Sequence, residues 1–195
     1  MTKPVFPVAL ILQGRACLVV GQGPELVSRT RALLDAQATV TVVSPAPSAE
    51  IREFASAGQI ALCEREFEEG DLREVWLAVL VDMDAALAAR MATVAAASRV
   101  LFCAVDQPEH NTYAHMAQAR AGLLDIAIST AGQAPALGRR LREELERLLN
   151  ESGMAEFIEK LAELRARTPS ADRRQVLGDA VSHVHFTGHL QLKKP

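Results

Sequence analysis

The sequence predicts an α/β fold with a parallel sheet for residues 1–112, and one short pattern carries most of that prediction. A continuously apolar run at residues 17–20 leads into a glycine turn at residues 21–23 (GQG). Residues 24–36 then place apolar side chains at helical spacing, and a β-branched run follows at residues 39–43. Strand, helix and strand in this order form a βαβ unit, whose two strands lie parallel in one sheet.

The rest of this first domain follows from apolar runs bounded by turn residues. Uninterrupted apolar runs are typical of strands that are buried on both faces, as in a parallel sheet. In chain order, the sequence predicts a helix over residues 49–57, a strand over 60–63, an acid-rich and mostly solvated loop over 64–74, a strand over 76–81, an alanine-rich helix over 85–97 and a strand over 100–105.

A second module, residues 113–150, has a different pattern. It is predicted to contain a helix over 113–121, a strand over 124–129 and a strongly amphipathic helix over 134–149. One strand and two helices bury too little surface to form a core alone. The module must therefore pack on the first domain or on another copy of the chain.

Residues 151–195 are predicted to form a helical C-terminal domain. Helical patterns run over 155–167 and 171–181, a break falls at 168–170, and the tail is expected to be irregular. The predicted order is thus a parallel α/β sheet, a small α+β module and a helical segment.

Composition narrows the classes of function. The formal net charge of −3 argues against a nucleic-acid-binding protein, because affinity for phosphate backbones depends on clustered cationic charge. No apolar run reaches the length of a membrane span, and the first residues lack the apolar core of a signal peptide, so we expect a cytoplasmic protein. Three cysteines that each lie in an apolar run indicate small buried side chains: Cys17, Cys63 and Cys103.

The turn at Gly21 and Gly23 matches part of a dinucleotide-binding fingerprint. The first glycine of that motif permits a tight turn, the second lets the backbone approach a pyrophosphate, and the helix N-terminus attracts its charge. The fingerprint is incomplete, because Leu26 occupies the third small position and no acid for the ribose hydroxyls follows Val43. A turn that serves only the fold is the alternative. If NAD binds, the expected contacts are Gly21, Gly23, Pro24 and Glu25 for its pyrophosphate and Pro45 and Ala46 for its adenosine.

Asp106 is the first candidate for chemistry. It follows the strand over residues 100–105 directly, and ligands of open α/β sheets bind just beyond the carboxyl ends of the strands. A carboxylate at that place can accept a proton or hold a cationic group. Asp is also common at the start of loops, so a structural role ahead of Pro108 is the alternative.

Residues 129–135 (STAGQAP) and the arginines after them form a second candidate. Hydroxyls and amides at a helix N-terminus bind anions, and arginines one turn later can hold carboxylates in bidentate fashion. A ligand with several carboxylates would suit such a site. The alternative is a helix cap followed by a solvated face of ion pairs. The residues are Ser129, Thr130, Gly132, Arg139, Arg140 and Arg142, with Glu143, Glu144 and Glu146 as the ion-pair partners in the alternative.

The histidines give a weaker signal. His183, His185 and His189 have a spacing that could hold a metal, but no acid or cysteine accompanies them. The sequence therefore predicts a solvated set and no metal site. His110 and His115 flank the loop that follows the candidate carboxylate, which makes their neighbourhood more interesting.

Several segments together resemble the precorrin-2 dehydrogenase family, the NAD-dependent module of sirohaem synthases. They are VVGQGP, VTVVSP, WLAVLV, AVDQPE and, most specific, AISTAGQAPALGRRLREELE, and the likeness covers about Phe6 to Leu149. The resemblance implies a homodimer with a Rossmann-like domain, a central dimerisation module and a helical cap. It also implies oxidation of precorrin-2 to sirohydrochlorin with NAD as hydride acceptor and, in some members, insertion of Fe(II) at the same site.

The resemblance assigns roles to individual residues as well. The family's essential aspartate falls on Asp106 and its active-site serine on Ser129, so both are predicted to be catalytic. A carrier or sensor that binds a tetrapyrrole or nucleotide without catalysis is the alternative. The residues predicted to bind the substrate are Ser129, Thr130, Gly132, Arg139, Arg140 and His115.

Overall fold

The computed structural model describes residues 5–187, which form two compact units, residues 5–115 and residues 116–187. Among these residues, no helix is long and apolar enough to cross a membrane. The sequence-based boundaries at residues 112 and 150 divide the chain more finely than these two units do. That division into three domains remains a prediction.

The first unit is a five-stranded parallel sheet with helices on both faces, which confirms the predicted α/β, Rossmann-like class. Its elements are β1 (Ala16–Gly21), α1 (Pro24–Asp35), β2 (Thr39–Val43), α2 (Ala49–Ser56), β3 (Ile60–Cys63), β4 (Leu77–Val81), α3 (Ala85–Ser98) and β5 (Leu101–Ala104). The strand order is β3-β2-β1-β4-β5, and every neighbouring pair is parallel. The strands β1 and β4 are therefore neighbours, with β2 and β3 on one side of the pair and β5 on the other.

Apolar side chains form one cluster on each face of this sheet. Val19 and Val79 belong to the cluster that includes Leu26 of α1, while Leu18 belongs to the opposite cluster with Met91 of α3. Burial on both faces explains why β1 and β4 are uninterrupted apolar runs. Leu26 is only 1% exposed, so the large side chain at the third fingerprint position is accommodated between helix and sheet.

The acid-rich loop over residues 64–74 is mostly exposed, as the sequence predicts, and two apolar side chains anchor it. Phe67 and Leu72 are buried in the cluster on the α3 face. Arg65 donates two hydrogen bonds to the Asp71 carboxylate, at 2.9 and 2.7 Å, and holds the pKa of that carboxyl below its usual range. Two apolar anchors and one ion pair thus hold a mostly solvated loop in place.

The cysteines lie within the first unit, and all three are free thiols. Cys17 and Cys103 are buried and Cys63 is partly buried. Burial raises the pKa of both Cys17 and Cys103 to about 11, so these two thiols stay protonated near neutral pH. They act as small apolar side chains, as predicted.

The second unit contains a two-stranded antiparallel sheet and three helices. The strand at 124–128, the amphipathic helix and the two later helices with a break at 168–170 agree with the sequence-based prediction. The elements are β6 (Ala117–Ala121), β7 (Leu124–Ile128), α4 (Pro135–Glu151), α5 (Met154–Arg167) and α6 (Arg173–Val181).

The helix predicted over residues 113–121 is wrong, because this stretch contains the strand β6. Alanine, glutamine and arginine favour helix locally, but Gly122 at φ +56° begins a two-residue loop that turns the chain back. Arg120 then lies opposite Asp125, with Nε 2.8 Å from Oδ1. The alternating burial along β6 shows that a partner strand and the contact with α4 override the local propensity.

Candidate active site

An open cleft of about 600 Å³ lies at the carboxyl ends of β1, β4 and β5. Its walls are the turn and helix that follow β1 and the loops that follow β4 and β5. Since α1 and α3 pack on opposite faces of the sheet, the cleft lies at the topological switch point between β1 and β4, where open α/β sheets bind ligands. Its polar and charged lining consists of Gln22, Glu25, Arg29, Asp82 and Asp106.

The two glycines of the turn are required for different reasons. Gly21 has φ +128°, and a Cβ atom there would lie 2.0 Å from the backbone oxygen of Val81 on the neighbouring strand. Gly23 precedes α1 with φ +86° and ψ −175°, a conformation that is essentially restricted to glycine. No atom lies within 4 Å of the Cβ position of Gly23. The first glycine thus allows close strand packing, and the second leaves the N-terminus of α1 open.

Asp106 lines the same cleft as the glycine turn, as its position after β5 predicted. It is exposed and has a left-handed backbone, φ +61°, which Asp adopts more readily than most residues. The side chain of Gln107 donates from Nε2 to the backbone oxygen of Asp82 at 2.8 Å. The backbone amide of Ala104 donates to Oδ1 of Asn111 at 2.7 Å. These two bonds hold the loop around the carboxylate from both sides.

Glu25 and Arg29 form an ion pair inside the cleft. They lie one turn apart in α1, and an Arg29 terminal nitrogen is 2.5 Å from Oε1 of Glu25. The Arg29 side chain is 25% exposed, and its Nε is buried without a hydrogen-bond partner. The sequence predicts a cofactor contact for Glu25 and indicates no role for Arg29. The i, i+4 spacing was the signal that could have found this pair.

The loop after β2 begins at the same edge of the sheet. Pro45 and Ala46, the expected adenosine contacts, are exposed there. Ser44 just before them is fully buried, its amide donates to the backbone oxygen of Cys63 at 3.0 Å, and its Oγ has no partner. A buried serine hydroxyl without a partner is uncommon, and the sequence alone gives no signal for it.

His115, one of the expected substrate contacts, belongs to the first unit and lies next to Tyr113. The Tyr113 hydroxyl is 3.4 Å from Nε2 of His115, and the rings meet edge to face with centroids 5.2 Å apart. Desolvation of the imidazole and the charge of Arg29 lower the pKa of His115 to about 4, although the residue as a whole is exposed to solvent. The imidazole is therefore neutral at pH 7.

The turn before α4 satisfies some of its own amides. Oγ of Ser129 accepts a hydrogen bond from the amide of Ala131 at 3.1 Å, and Oγ1 of Thr130 accepts one from the amide of Ala134 at 3.4 Å. Ala131 and Gly132 both have positive φ, at 50° and 74°. The two hydroxyls thus satisfy amides of the turn itself. Neither is a side-chain cap of α4, whose N-cap residue is Ala134.

The arginines of α4 divide between the two interpretations. Arg140 lies 3.6 Å from a Glu143 oxygen and also pairs with Glu144 one turn later. Arg139 is exposed, and within residues 5–187 it makes no ion pair. Arg139 is therefore the arginine of this segment that can bind a ligand carboxylate without first releasing a glutamate.

Residues 5–187 contain no group of three or more His, Cys, Asp or Glu side chains arranged to hold a metal. His183 packs edge to face against Phe157 with centroids 6.0 Å apart, and His185 is exposed. His189 lies outside the described residues, so the three-histidine pattern cannot be assembled from them.

Two family models match the chain. A model for NAD(P)-binding matches residues 8–115, more than half of the chain, and a model for the central part of sirohaem biosynthesis proteins matches residues 122–148. The first match contains the glycine turn and Asp106. The second contains the turn before α4 with most of that helix.

Individual proteins give the same indication. Siroheme synthases of Escherichia coli strains SMS-3-5 and SE11 are each 36% identical to the chain over 144 residues, 74% of this chain and 32% of the relative. The chain thus spans about a third of the length of these relatives. A solved structure titled "SirC, precorrin-2 dehydrogenase" matches with a TM-score of 0.76 and 28% identity, covering 91% of this chain and 89% of that one.

Proposed function

The chain belongs to the NAD(P)-binding family of sirohaem biosynthesis proteins, and we propose that it is a precorrin-2 dehydrogenase, which oxidises precorrin-2 to sirohydrochlorin with NAD as the hydride acceptor. One observation carries the proposal: the glycine turn and the candidate base Asp106 line a single cleft at the switch point of the sheet. The likeness to the structure titled precorrin-2 dehydrogenase, over nine tenths of this chain, supports the same substrate class.

The described residues fit a nicotinamide dinucleotide, with one obstacle. The space above Gly23 leaves the N-terminus of α1 open to a pyrophosphate, and the orphan Oγ of Ser44 offers a hydrogen bond at the end of β2. The Glu25 carboxylate is the obstacle, because it repels phosphate. When bound, the cofactor supplies the hydride acceptor. The residues proposed to contact the cofactor are Gly21, Gly23, Pro24, Glu25, Pro45 and Ala46, and among them Glu25 weakens binding.

The charge around β2 favours NAD over NADP. An enzyme that selects NADP commonly places an arginine near the 2′-phosphate, just beyond this strand. Residues 44–50 contain no Lys or Arg. Arg31 is paired with Glu50, the last residue of this segment. Arg52, slightly further on, is held by Glu64, to which it donates from Nε at 3.2 Å and from a terminal nitrogen at 2.8 Å.

Asp106 is proposed as the general base. Oxidation of precorrin-2 removes one hydride and one proton from the macrocycle, and the hydride leaves to the cofactor. A carboxylate held beside the cleft can accept the proton. The hydrogen bonds from Gln107 and to Asn111 hold the loop that carries Asp106 at the edge of the cleft.

Precorrin-2 carries carboxylate side chains around its ring, so its binding site needs cations and hydrogen-bond donors. We assign substrate binding to Ser129, Thr130, Gly132, Arg139, Arg140 and His115, with Ser129 also in a catalytic role. Arg139 is the most available cation among them, since Arg140 is shared with Glu143 and Glu144. The neutral imidazole of His115 can donate or accept one hydrogen bond at pH 7.

Two further parts of the proposal concern a second reaction and a second copy. Insertion of Fe(II) as a substrate would release two pyrrole protons, for which Asp106 is again the proposed base.

A homodimer whose interface includes residues 124–149 would cover the exposed side chains of Leu137 and Leu148 on α4.

The test is turnover of precorrin-2 by the purified chain under anaerobic conditions, followed by the absorbance of NADH. Equal amounts of sirohydrochlorin and NADH are expected. Binding of sirohydrochlorin without turnover of precorrin-2 would favour the alternative, a carrier or sensor.

A further inference from the structure

Arg29 occupies an unusual position among the charged residues of the cleft. Within the described chain, the cleft is lined by three carboxylates, those of Glu25, Asp82 and Asp106, and by one cation, Arg29. A site with this balance repels anionic ligands unless its cation is free to meet them. Both ligands of the proposed function carry negative groups, since the dinucleotide has phosphates and the tetrapyrrole has carboxylates.

The ion pair with Glu25 is easily replaced. Both side chains are partly exposed, at 25% for Arg29 and 43% for Glu25, and pairs of this kind contribute little to stability. A phosphate or a carboxylate can accept two parallel hydrogen bonds from a guanidinium, which makes it a competitive partner. The Glu25 carboxylate can then turn toward solvent without leaving a buried charge behind.

Packing holds Arg29 ready for such an exchange. Its Nε is buried without a hydrogen-bond partner, so the stem of the side chain is enclosed while one terminal nitrogen reaches Glu25. Arg29 also lies close enough to the imidazole of His115 to disfavour its protonation. The positive charge of Arg29 therefore influences groups at the carboxyl edge of the sheet, where an anionic ligand would bind.

We propose that Arg29 is an anion-binding residue of the cleft. In the empty protein Glu25 pairs with its guanidinium, and Glu25 is displaced when a phosphate or carboxylate of a ligand binds there. Glu25 then tunes affinity: it neutralises Arg29 when the cleft is empty and opposes the ligand during binding. The identity of the ligands rests on the proposed function, whereas the anion exchange itself does not.

The experiment measures binding by calorimetry with three probes: NAD⁺, sirohydrochlorin and inorganic pyrophosphate. Glu25→Gln should tighten binding of the responsive probe by about threefold to tenfold, because it removes the competitor and its charge. Arg29→Met should weaken that binding by about tenfold or more, and Arg29→Lys by less. In the Arg29→Met background, Glu25→Gln should tighten binding by a smaller factor, since no guanidinium remains to be released.

The matched control is Arg31→Met. Arg31 lies two residues further along α1 and pairs with Glu50, away from this cleft, so all three affinities should stay at the parent values. Thermal unfolding and circular dichroism check that each variant is folded. Arg29→Lys provides a folded variant if Arg29→Met disturbs packing.

The three probes separate the sources of the anion. A response of NAD⁺ and pyrophosphate alone assigns Arg29 to the cofactor phosphates, and a response of sirohydrochlorin alone assigns it to the substrate carboxylates. A parent protein that lacks turnover but binds a probe through Arg29 would reject the proposed function and keep this inference. If Arg29→Met leaves all three affinities unchanged, or if the folded parent binds none of the probes, the anion-binding role of Arg29 is overturned.

Discussion

The side-chain amide of Gln107 donates a hydrogen bond of 2.8 Å to the backbone oxygen of Asp82, 25 positions earlier in the chain. This bond joins the loops that follow β4 and β5 directly beside Asp106. Gln107 is only 6% exposed, so the bond is shielded from water. A buried side chain, and not the backbone alone, therefore connects two walls of the cleft.

Replacing Gln107 should loosen this connection. Gln107→Leu keeps much of the side-chain volume but leaves the carbonyl of Asp82 without its donor, so we expect the free energy of unfolding to fall by about 1–3 kcal/mol. Urea denaturation measures the change, with the exposed Gln59→Leu as control. A Gln107→Leu protein as stable as the parent would show that the bond does not hold the loops together.

The two glycines of the turn should respond differently to the same substitution. Gly21→Ala places a Cβ atom 2.0 Å from the Val81 oxygen, so it should destabilise the fold by about 3 kcal/mol or more. Gly23→Ala meets no atom and should cost only its backbone strain, about 1–3 kcal/mol. Urea midpoints give the order, and a reversed order would contradict the packing described for β1 and β4.

Acid should destabilise the fold partly through His115. The imidazole of the unfolded chain takes up a proton near its ordinary pKa of 6.5, whereas the folded protein resists protonation down to about pH 4. Stability is therefore fully present above about pH 6.5 and is lost as the pH falls toward 4. Carboxyls with lowered pKa values, such as Asp71, lose stability in acid as well, so the comparison must be between proteins.

The comparison uses His115→Gln, which cannot titrate in this range. Unfolding free energies of the parent and the variant, measured at pH 7 and pH 5, should show the smaller acid-induced loss in the variant. Equal losses in the two proteins would mean that His115 has the same pKa folded and unfolded.

The exposed leucines of α4 provide a test of the proposed homodimer. Light scattering should give twice the chain mass for the parent at micromolar concentration. Leu137→Arg should yield a folded monomer, because it places a charge on the exposed apolar surface proposed to form the dimer interface, while Leu10→Arg in the first unit should remain dimeric. A parent protein that is well folded and monomeric would contradict the proposed homodimer.

Much of the first unit could be predicted from the sequence because its strands have only one interpretation. The bounds of β2 and β3 agree to the residue, since β2 is a β-branched run that ends before Ser44 and Pro45, and β3 is a short apolar run between Gly58 and the acid-rich loop. The strand β6 could not be predicted in the same way. Its alanines and polar residues favour helix, and the partner that makes it a strand comes later, after Gly122.

The candidate site divides along the same line. The carboxyl ends of parallel strands share one edge of a sheet, so Asp106 could be placed beside the glycine turn from sequence alone. Gln107 and Ser44 could not be identified, because their importance depends on burial and on a hydrogen-bond partner or its lack, which only folding determines. Arg29 could not be identified either, because the sequence does not show which face of α1 lines the cleft.

Asp84, the N-cap residue of α3, provides the control for a substitution at Asp106. Oδ1 of Asp84 accepts hydrogen bonds from the amides of Ala86 and Leu87 at 2.8 and 3.2 Å. Asparagine caps helices about as well as aspartate, so Asp84→Asn should change neither stability nor turnover appreciably. This variant controls for loss of one acid near the end of β4.

The most direct measurement is the rate at which Asp106→Asn oxidises precorrin-2 with NAD, compared with the parent and with Asp84→Asn. Asparagine tolerates the left-handed backbone at position 106, so the variant should fold, and it should bind NAD as the parent does. Loss of the proton acceptor should slow turnover by about 10² to 10⁴. A folded Asp106→Asn protein that turns precorrin-2 over at the parent rate would contradict the assignment of Asp106 as the base.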